Sequence, residues 1–350
     1  MAKKVQISND GKTTWDDLPG STANFSVNGE EIDDTILGQT FQSNLTGLVD
    51  WRVESDGIFK GFAGYLASIK KQGTATTMTA EACSVESGLI YAIDDGTKDI
   101  WDRATGITVL DDASPVAASD ILYIDYLFGR VEFITGYTVV GSITVTGKYF
   151  PIIAIGKSNS YSLTMTANNI DNSHFAVVQA NGGVKTFEPG LRNVALEVQG
   201  IFDATESAKT DLTARAELIV EIDPAGDGSS LARGFFRIVN TSQGGAVGAL
   251  EDETINFALS VPFADDIAVV FNWRHTSTTL AESIQSAITS WLTELNTYDV
   301  RYLPSGAIGA SPNDGIEGDM MVTDISLSGG LSNMNVFNVT MQGTGAFTVV

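Results

Sequence analysis

The string GLVDWRVESDGIF at residues 47–59 returns as GLRNVALEVQGIF at residues 190–202, and this repeat constrains the fold more than any other feature of the chain. Gly47/Gly190, Leu48/Leu191, Glu54/Glu197, Gly57/Gly200, Ile58/Ile201 and Phe59/Phe202 match at one constant offset of 143. Both strings alternate with period two. Trp51, Val53 and Ser55 fall on one face and Arg52, Glu54 and Asp56 on the other, and Val194, Leu196 and Val198 oppose Ala195, Glu197 and Gln199. Each is therefore expected to be a half-buried strand with a wet face, and Gly57 and Gly200 mark a bend or bulge near its end. Upstream of each copy lies a related acidic turn, EEIDDT at 30–35 and NNIDNS at 168–173, with Ile32-Asp33 answering Ile170-Asp171 at an offset of 138. A five-residue difference between landmarks is a change of loop length, as diverged duplicates show.

Further strands are expected in 122–133, 141–150, 217–222, 233–239, 254–261, 320–328 and 336–343. The clearest helix is 279–297, where Leu280, Ile284, Ile288, Trp291, Leu292 and Leu295 form one apolar stripe and Thr279 with Glu282 makes a capping box. The stripe reads as core packing on a sheet. Shorter helices are expected over 91–103 and 205–216. The fold class is mainly β, antiparallel sheets of sandwich or barrel type with one packed helix per domain. A chain of 350 residues has room for two domains of ordinary size. The expected division is 1–157, with a strand-rich inserted segment near 84–150, and 158–350, or else 264–350 completes the first domain.

Charge excludes some functions. With 43 acidic against 20 basic residues the net charge is −23, and Lys3-Lys4 and Lys70-Lys71 are the only basic doublets, so a grip on nucleic-acid phosphates is not expected. The acidity suits solubility, or a surface that lies near a polyanion without sticking to it. Cys83 is the single cysteine, which rules out an intramolecular disulfide and suggests a reducing compartment. The basic start MAKKVQ has no apolar core behind it and does not read as a secretory signal, and no apolar run is long enough to span a bilayer.

Catalytic chemistry is hard to find. His174 and His275 have no metal-ligand spacing. The Gly156-Lys157-Ser158 triplet fails as a phosphate loop because Pro151 stands where its first glycine belongs, and no Gly-x-Ser-x-Gly elbow is present. DPAGDGSS at 223–230 places Asp223 and Asp227 in a glycine-rich turn that lacks the ligand pattern of a calcium loop, so a plain turn is expected there. DDGTKD at 94–99 reads as a helix start. No catalytic residue, cofactor or metal site is expected.

The stretches VNGEEIDDTILGQTF…GLVDWRVESDGIF, NIDNSHF…GLRNVALEVQGIFDATES…ELIVEIDPAGDG…ARGFFRIV…ALEDETINFALSV and the closing VFNVTMQGTGAFTV resemble the tail tube (major tail) proteins of long-tailed bacteriophages, with the tube domain present twice. The resemblance implies a non-enzymatic virion component, made in the host cytoplasm. Its subunits form rings whose inner wall is a β-barrel, stack into a tube, and meet other tail proteins at the tube ends. DNA transits the acidic channel without specific binding, and no membrane is involved. With two sectors per chain, a homotrimer of pseudo-sixfold symmetry is expected. Glu54, Asp56, Glu197 and Gln199 are then the expected lumen-facing residues. The rival reading is an acidic β-rich adhesion or carbohydrate-binding module, steadied by calcium at 223–230.

Overall fold

The computed structural model describes the whole chain except residues 1–2, 9, 36–43, 59–66, 203–207, 246–249, 262–269, 276–281, 293–296, 309–314 and 332. The chain opens with β1 (Lys4–Ser8), a short β2 (Asp16–Asp17), β3 (Thr22–Asp33), β4 (Asn44–Ile58) and β5 (Ser68–Gln72). A separate seven-stranded sheet follows, made of β6 (Thr76–Ser87), β7 (Ile90–Ile93), β8 (Thr108–Asp111), β9 (Ser114–Pro115), β10 (Ile121–Asp125), β11 (Arg130–Phe133) and β12 (Ile143–Tyr149). Then come β13 (Ile152–Ala154), β14 (Lys157–Asp171), α1 (Phe175–Ala180), β15 (Phe187–Ile201), α2 (Ala208–Ala214), β16 (Leu218–Asp223), β17 (Ser230–Gly244), β18 (Asp252–Leu259) and β19 (Phe271–His275). The chain ends with α3 (Glu282–Leu292), β20 (Tyr298–Leu303), β21 (Ile316–Gly330) and β22 (Asn333–Val349). The fold is mainly β and antiparallel, as the alternation predicts.

The spine of the larger sheet runs β3-β4-β22-β21-β14-β15-β18-β17. The repeated strings lie in β4 and β15, which begin and end 143 residues apart (44 against 187, 58 against 201). Their hairpin partners β3 and β14 both end on the Ile-Asp landmark, at Asp33 and Asp171, so the two "turns" are strand ends. The Asp33/Asn44 and Asp171/Phe187 ends of the β3–β4 and β14–β15 pairs lie at one rim of the sheet, and the Gly330/Asn333 and Gly244/Asp252 ends of the β21–β22 and β17–β18 pairs at the opposite rim.

Pairings around the repeats correspond in register. Asn24, Glu54, Thr340 and Asp324 form one cross-strand row, and Ser162, Glu197, Asn256 and Asn240 form another. The β22 and β18 members are 84 residues apart (340 against 256), as are the β21 and β17 members (324 against 240). Bulges recur at the same steps, Gly29/Glu31 with Ala167/Asn169 and Val322/Asp324 with Ile238/Asn240. Beside the spine, the row Gln6-Arg301-Glu317 across β1, β20 and β21 answers Lys70-Glu221-Arg233 across β5, β16 and β17. The C-terminal hairpin thus lies against β4, while β18 lies against β15.

The paired glycines have a steric reason. A Cβ on Gly57 would come 2.3 Å from the Pro19 carbonyl oxygen, and one on Gly200 would come 2.5 Å from the Lys157 carbonyl oxygen, where β14 bulges at Ser158/Ser160. Trp51 occupies a recess that only glycines leave open: a Cβ on Gly343 would lie 2.1 Å from its ring and one on Gly318 2.8 Å from it. The indole Nε1 donates to the Gly345 carbonyl at 2.8 Å. In the other row Val194 stands in place of Trp51, and Leu259 in place of Gly343.

Ile284, Ile288, Trp291 and Leu292 of α3 are buried in the main core, against β21 and β1, as the stripe predicts. Leu280, Leu295 and the Thr279 cap lie outside the described residues. α2 falls within the helix expected over 205–216 and packs on β17. The helix expected over 91–103 is not formed. Ile90–Ile93 is strand β7, and Asp95 caps a short 3-10 turn at Gly96–Lys98 by accepting from the Thr97 amide. Sequence 122–133 is a hairpin instead of one strand. The Asp125 carboxylate accepts from the Leu127 and Phe128 amides, and Gly129 takes a left-handed φ of +61°.

That hairpin turn anchors the smaller sheet. Leu127 and Phe128 are buried in the core of the larger one, while Met78, Trp101, Val131, Phe133 and Val145 belong to a core of their own. Arg233 lies over the Phe128 ring and donates to Glu221, Asp99 and the Leu127 carbonyl. Arg103, between β7 and β8, forms a fork to Glu217, at 3.0 and 2.8 Å. β5 and β13, which flank the smaller sheet in sequence, pair with each other, and β5 pairs with β16.

Candidate functional site: the polar face of the sheet

The alternation of the repeated strands sorts their side chains as expected. Trp51, Val53 and Ser55 are buried, as are Val194, Leu196 and Val198, while Arg52, Glu54, Asp56, Glu197 and Gln199 stand on the opposite, solvated face. Glu54 lies between Asn24 and Thr340, and Glu197 between Ser162 and Asn256, so the two glutamates occupy corresponding sites on one continuous surface. The Gln199 amide donates to Glu197 Oε1 at 2.6 Å, and Ser160 Oγ donates to Gln199 Oε1 at 3.4 Å. Asp56 Oδ1 is buried and finds no hydrogen-bond partner among the described residues.

Between tips and turns this face is a belt of hydroxyls and amides. Ser26, Asn338, Ser326, Thr164, Thr166 and Thr254 are typical members. Among the described residues its carboxylates include Glu54, Asp56, Asp324 and Glu197, with Asp50 and Asp252 on the same face nearer the rims, set against Arg52 and Arg237. Burial pushes the Asp324 carboxyl above the ordinary range. A further group of carboxylates, Glu30, Glu31, Asp33, Asp171 and Glu188, lies with Asp50 toward the hairpin tips, where Lys185 bridges Glu30 at 2.5 Å and Asp171 at 3.7 Å. Net charge alone could not have separated belt from tips.

The other sequence candidates have structural roles. His275 in β19 accepts from or donates to Ser230 Oγ through Nδ1 at 3.0 Å, and Trp273 Nε1 also donates to that hydroxyl at 2.8 Å. Burial lowers the His275 pKa to about 4 and leaves Nε2 without a partner among the described residues, and Ser230 is itself buried. His174 precedes α1 without capping it through its side chain. Burial, with Asp94 and Glu81 nearby, pushes the Cys83 thiol up to about 12, far from the reactive range. Asp223 accepts from the Gly226 and Gly228 amides at 2.8 and 2.9 Å, the hydrogen bonding of a turn, and no cluster of metal-ligating side chains occurs among the described residues. Nor does any described helix have the length and apolarity to cross a membrane.

No protein-family model matches the chain, and no curated protein matches it. Among solved structures it is similar to a chain in the virion of a native gene transfer agent particle, with 14% identity and a TM-score of 0.28 over 32% of this chain and 85% of that one. It is also similar to a chain in the tail of an empty gene transfer agent particle of C6 symmetry, with 13% identity and a TM-score of 0.29 over 36% of this chain and 87% of that one. Likenesses of this order leave the function to be argued from the sheet itself.

Proposed function

We propose that this chain is a nested duplication whose rings of three stack into a phage-type tail tube, a virion component that guides DNA during genome delivery. One unit consists of β1, β3, β4, α3 and β20–β22. The other, β5, β14, β15, α2 and β16–β18, is inserted between β4 and α3 and itself carries the seven-stranded sheet. The observation that carries this reading is the spine: eight long antiparallel strands, polar on one face, built from two four-stranded sectors that correspond in register. Rotation about an axis that keeps each rim on its own side preserves strand direction. An even number of alternating strands can then meet its own copy antiparallel and close a barrel without edges. With two sectors per chain, three chains supply the six sectors of a pseudo-sixfold ring.

The polar belt, Glu54, Asp56, Glu197 and Gln199 included, lines the channel in this reading. It offers phosphates no cluster of cations from which to release counterions, and its carboxylate excess repels them, so DNA slides instead of binding. The acidic tips add repulsion at one rim. The role is structural and not catalytic, and other tail proteins meet the tube at its ends.

Negative-stain microscopy with native mass measurement tests the ring: three-chain rings with a central hole are expected. Six-chain rings would mean that only one sector lines the hole, and dispersed monomers would end the reading. Glu54→Lys with Glu197→Lys tests the lining. Both sites are solvated, so assembly should persist, and the tubes should now bind short duplex DNA at low salt and release it at high salt. Normal assembly with no gain in DNA binding would remove this face from the channel.

A further inference from the structure

Within one chain the two sectors meet where β21 pairs with β14, and each end of the spine repeats half of that seam without its partner. β3, the counterpart of β14, pairs only with β4 among the described residues. Among the described residues β17, the counterpart of β21, pairs over Arg237–Gly244 only with β18, since β16 and β19 stop at or before Phe236. We infer that the free edge of β3 in one copy pairs with the free edge of β17 in the next, in the register dictated by the internal seam. This deepens the ring reading and rests on it.

The internal seam joins Thr164 to Ser326, Met165 to Ile325 and Thr166 to Asp324. Moving β14 back by 138 (171 against 33) and β21 back by 84 (324 against 240) turns these into Ser26 with Ser242, Val27 with Thr241, and Asn28 with Asn240. Parity agrees at every step. Ser26, Asn28, Asn240 and Ser242 belong to the polar face, and joining them extends the belt of hydroxyls and amides across the boundary. Burial agrees as well. Met165 and Ile325 are 0% and 1% exposed at the closed seam, whereas Val27, the counterpart of Met165, is 43% exposed at the open one. Over Thr22–Asn28 the β3 edge has no proline, charged residue or bulge to blunt it; its bulge at Gly29/Glu31 and its acidic residues lie toward the tip. The new seam is more polar than the old, since Gln243, held by Lys209 and Glu253, replaces Leu327.

Cysteine cross-linking in a Cys83→Ala background tests the register. Opposed strand residues have Cα atoms about 4.5–5.5 Å apart, within reach of a disulfide. Ser26→Cys with Ser242→Cys in one chain should therefore oxidise to a covalent ladder that ends at three chains. Asn28→Cys with Gly244→Cys, four residues or about 13 Å out of register, should cross-link about tenfold less. If microscopy shows rings yet the in-register pair does not link, or links no better than the displaced pair, the register is wrong while the ring stands. If neither rings nor links form, both readings fall together.

Discussion

Replacing Gly343 with alanine adds one methyl group where Trp51 leaves no space. Its Cβ would sit 2.1, 2.2 and 2.5 Å from the Cε2, Nε1 and Cδ2 atoms of the indole, all closer than packed atoms can approach. The ring cannot swing away freely, because Phe25 and Phe347 lie 6.3 and 5.4 Å from it. Overpacking costs about 1–3 kcal/mol, and a shifted indole loses its hydrogen bond to Gly345, about 1 kcal/mol more, so Gly343→Ala should destabilise by about 3 kcal/mol. Trp51→Val, which installs the residue of the corresponding position 194, should cost about 3 kcal/mol through the cavity it leaves. With valine at 51 the new methyl points into that cavity. In the double variant Gly343→Ala should therefore be neutral or stabilising, a coupling of about 3 kcal/mol. Urea unfolding followed by far-ultraviolet circular dichroism measures all four corners of the cycle. Additive single effects, or a cost below about 0.5 kcal/mol for Gly343→Ala alone, would show that the recess does not depend on the missing Cβ.

Arg233 is buried between Glu221 and Asp99 and lies over Phe128, so Arg233→Met should cost about 3–5 kcal/mol by stranding buried carboxylates, and should expose the junctions near residues 73 and 151 to limited proteolysis; unchanged cleavage and an unchanged urea midpoint would show that the smaller sheet is held by other contacts. The His275 pKa falls from 6.5 to about 4 in the fold, so its neutral form contributes stability that is complete above about pH 6.5 and is lost as pH falls toward 4, by at most about 3 kcal/mol. Asp125, raised by burial to about 6, acts in the opposite sense, with a contribution complete below about pH 3.8 and lost as pH rises through 6, so the two offset each other. His275→Gln should remove the first slope and leave the second, making the variant gain stability relative to the parent on acidification; a stability difference independent of pH between 7 and 4 would refute this.

Which parts of the molecule could be read in the sequence follows from what each repeat keeps. The β3–β4 and β14–β15 hairpins are short-range objects, each with its partner strand next in the chain, so their landmarks survive at offsets of 143 and 138 and their alternation names both faces. The polar face that carries Glu54, Asp56, Glu197 and Gln199 was legible for the same reason. The Asp125–Gly129 turn was hidden because Leu127 and Phe128 continue the apolar run of a strand; only the aspartate and glycine signal that the chain reverses.

The rest of each proposed unit was hidden for a different reason, which bears on how the proposed duplicates would have diverged. The partner strands of the second unit precede those of the first in the chain, so their offset has the opposite sign to that of the hairpins (β17 at 230–244 against β21 at 316–330). At individual positions the residues also fail to match. Arg301 faces Glu317 in one unit, and Glu221 faces Arg233 in the other, the same ion pair with its charges exchanged. A large residue beside a small one, Trp51 with Gly343, becomes two of middling size, Val194 with Leu259. In each case the cross-strand pair keeps its function, neutralised charge or filled volume, while both of its members change. Cross-strand pairs are the unit of sheet stabilisation, so a change in one residue is tolerated when its neighbour changes with it. A comparison of single positions then sees two mismatches where the register sees one kept contact, and the correspondence on which the proposed duplication rests emerges only once strand register places the members of each pair side by side.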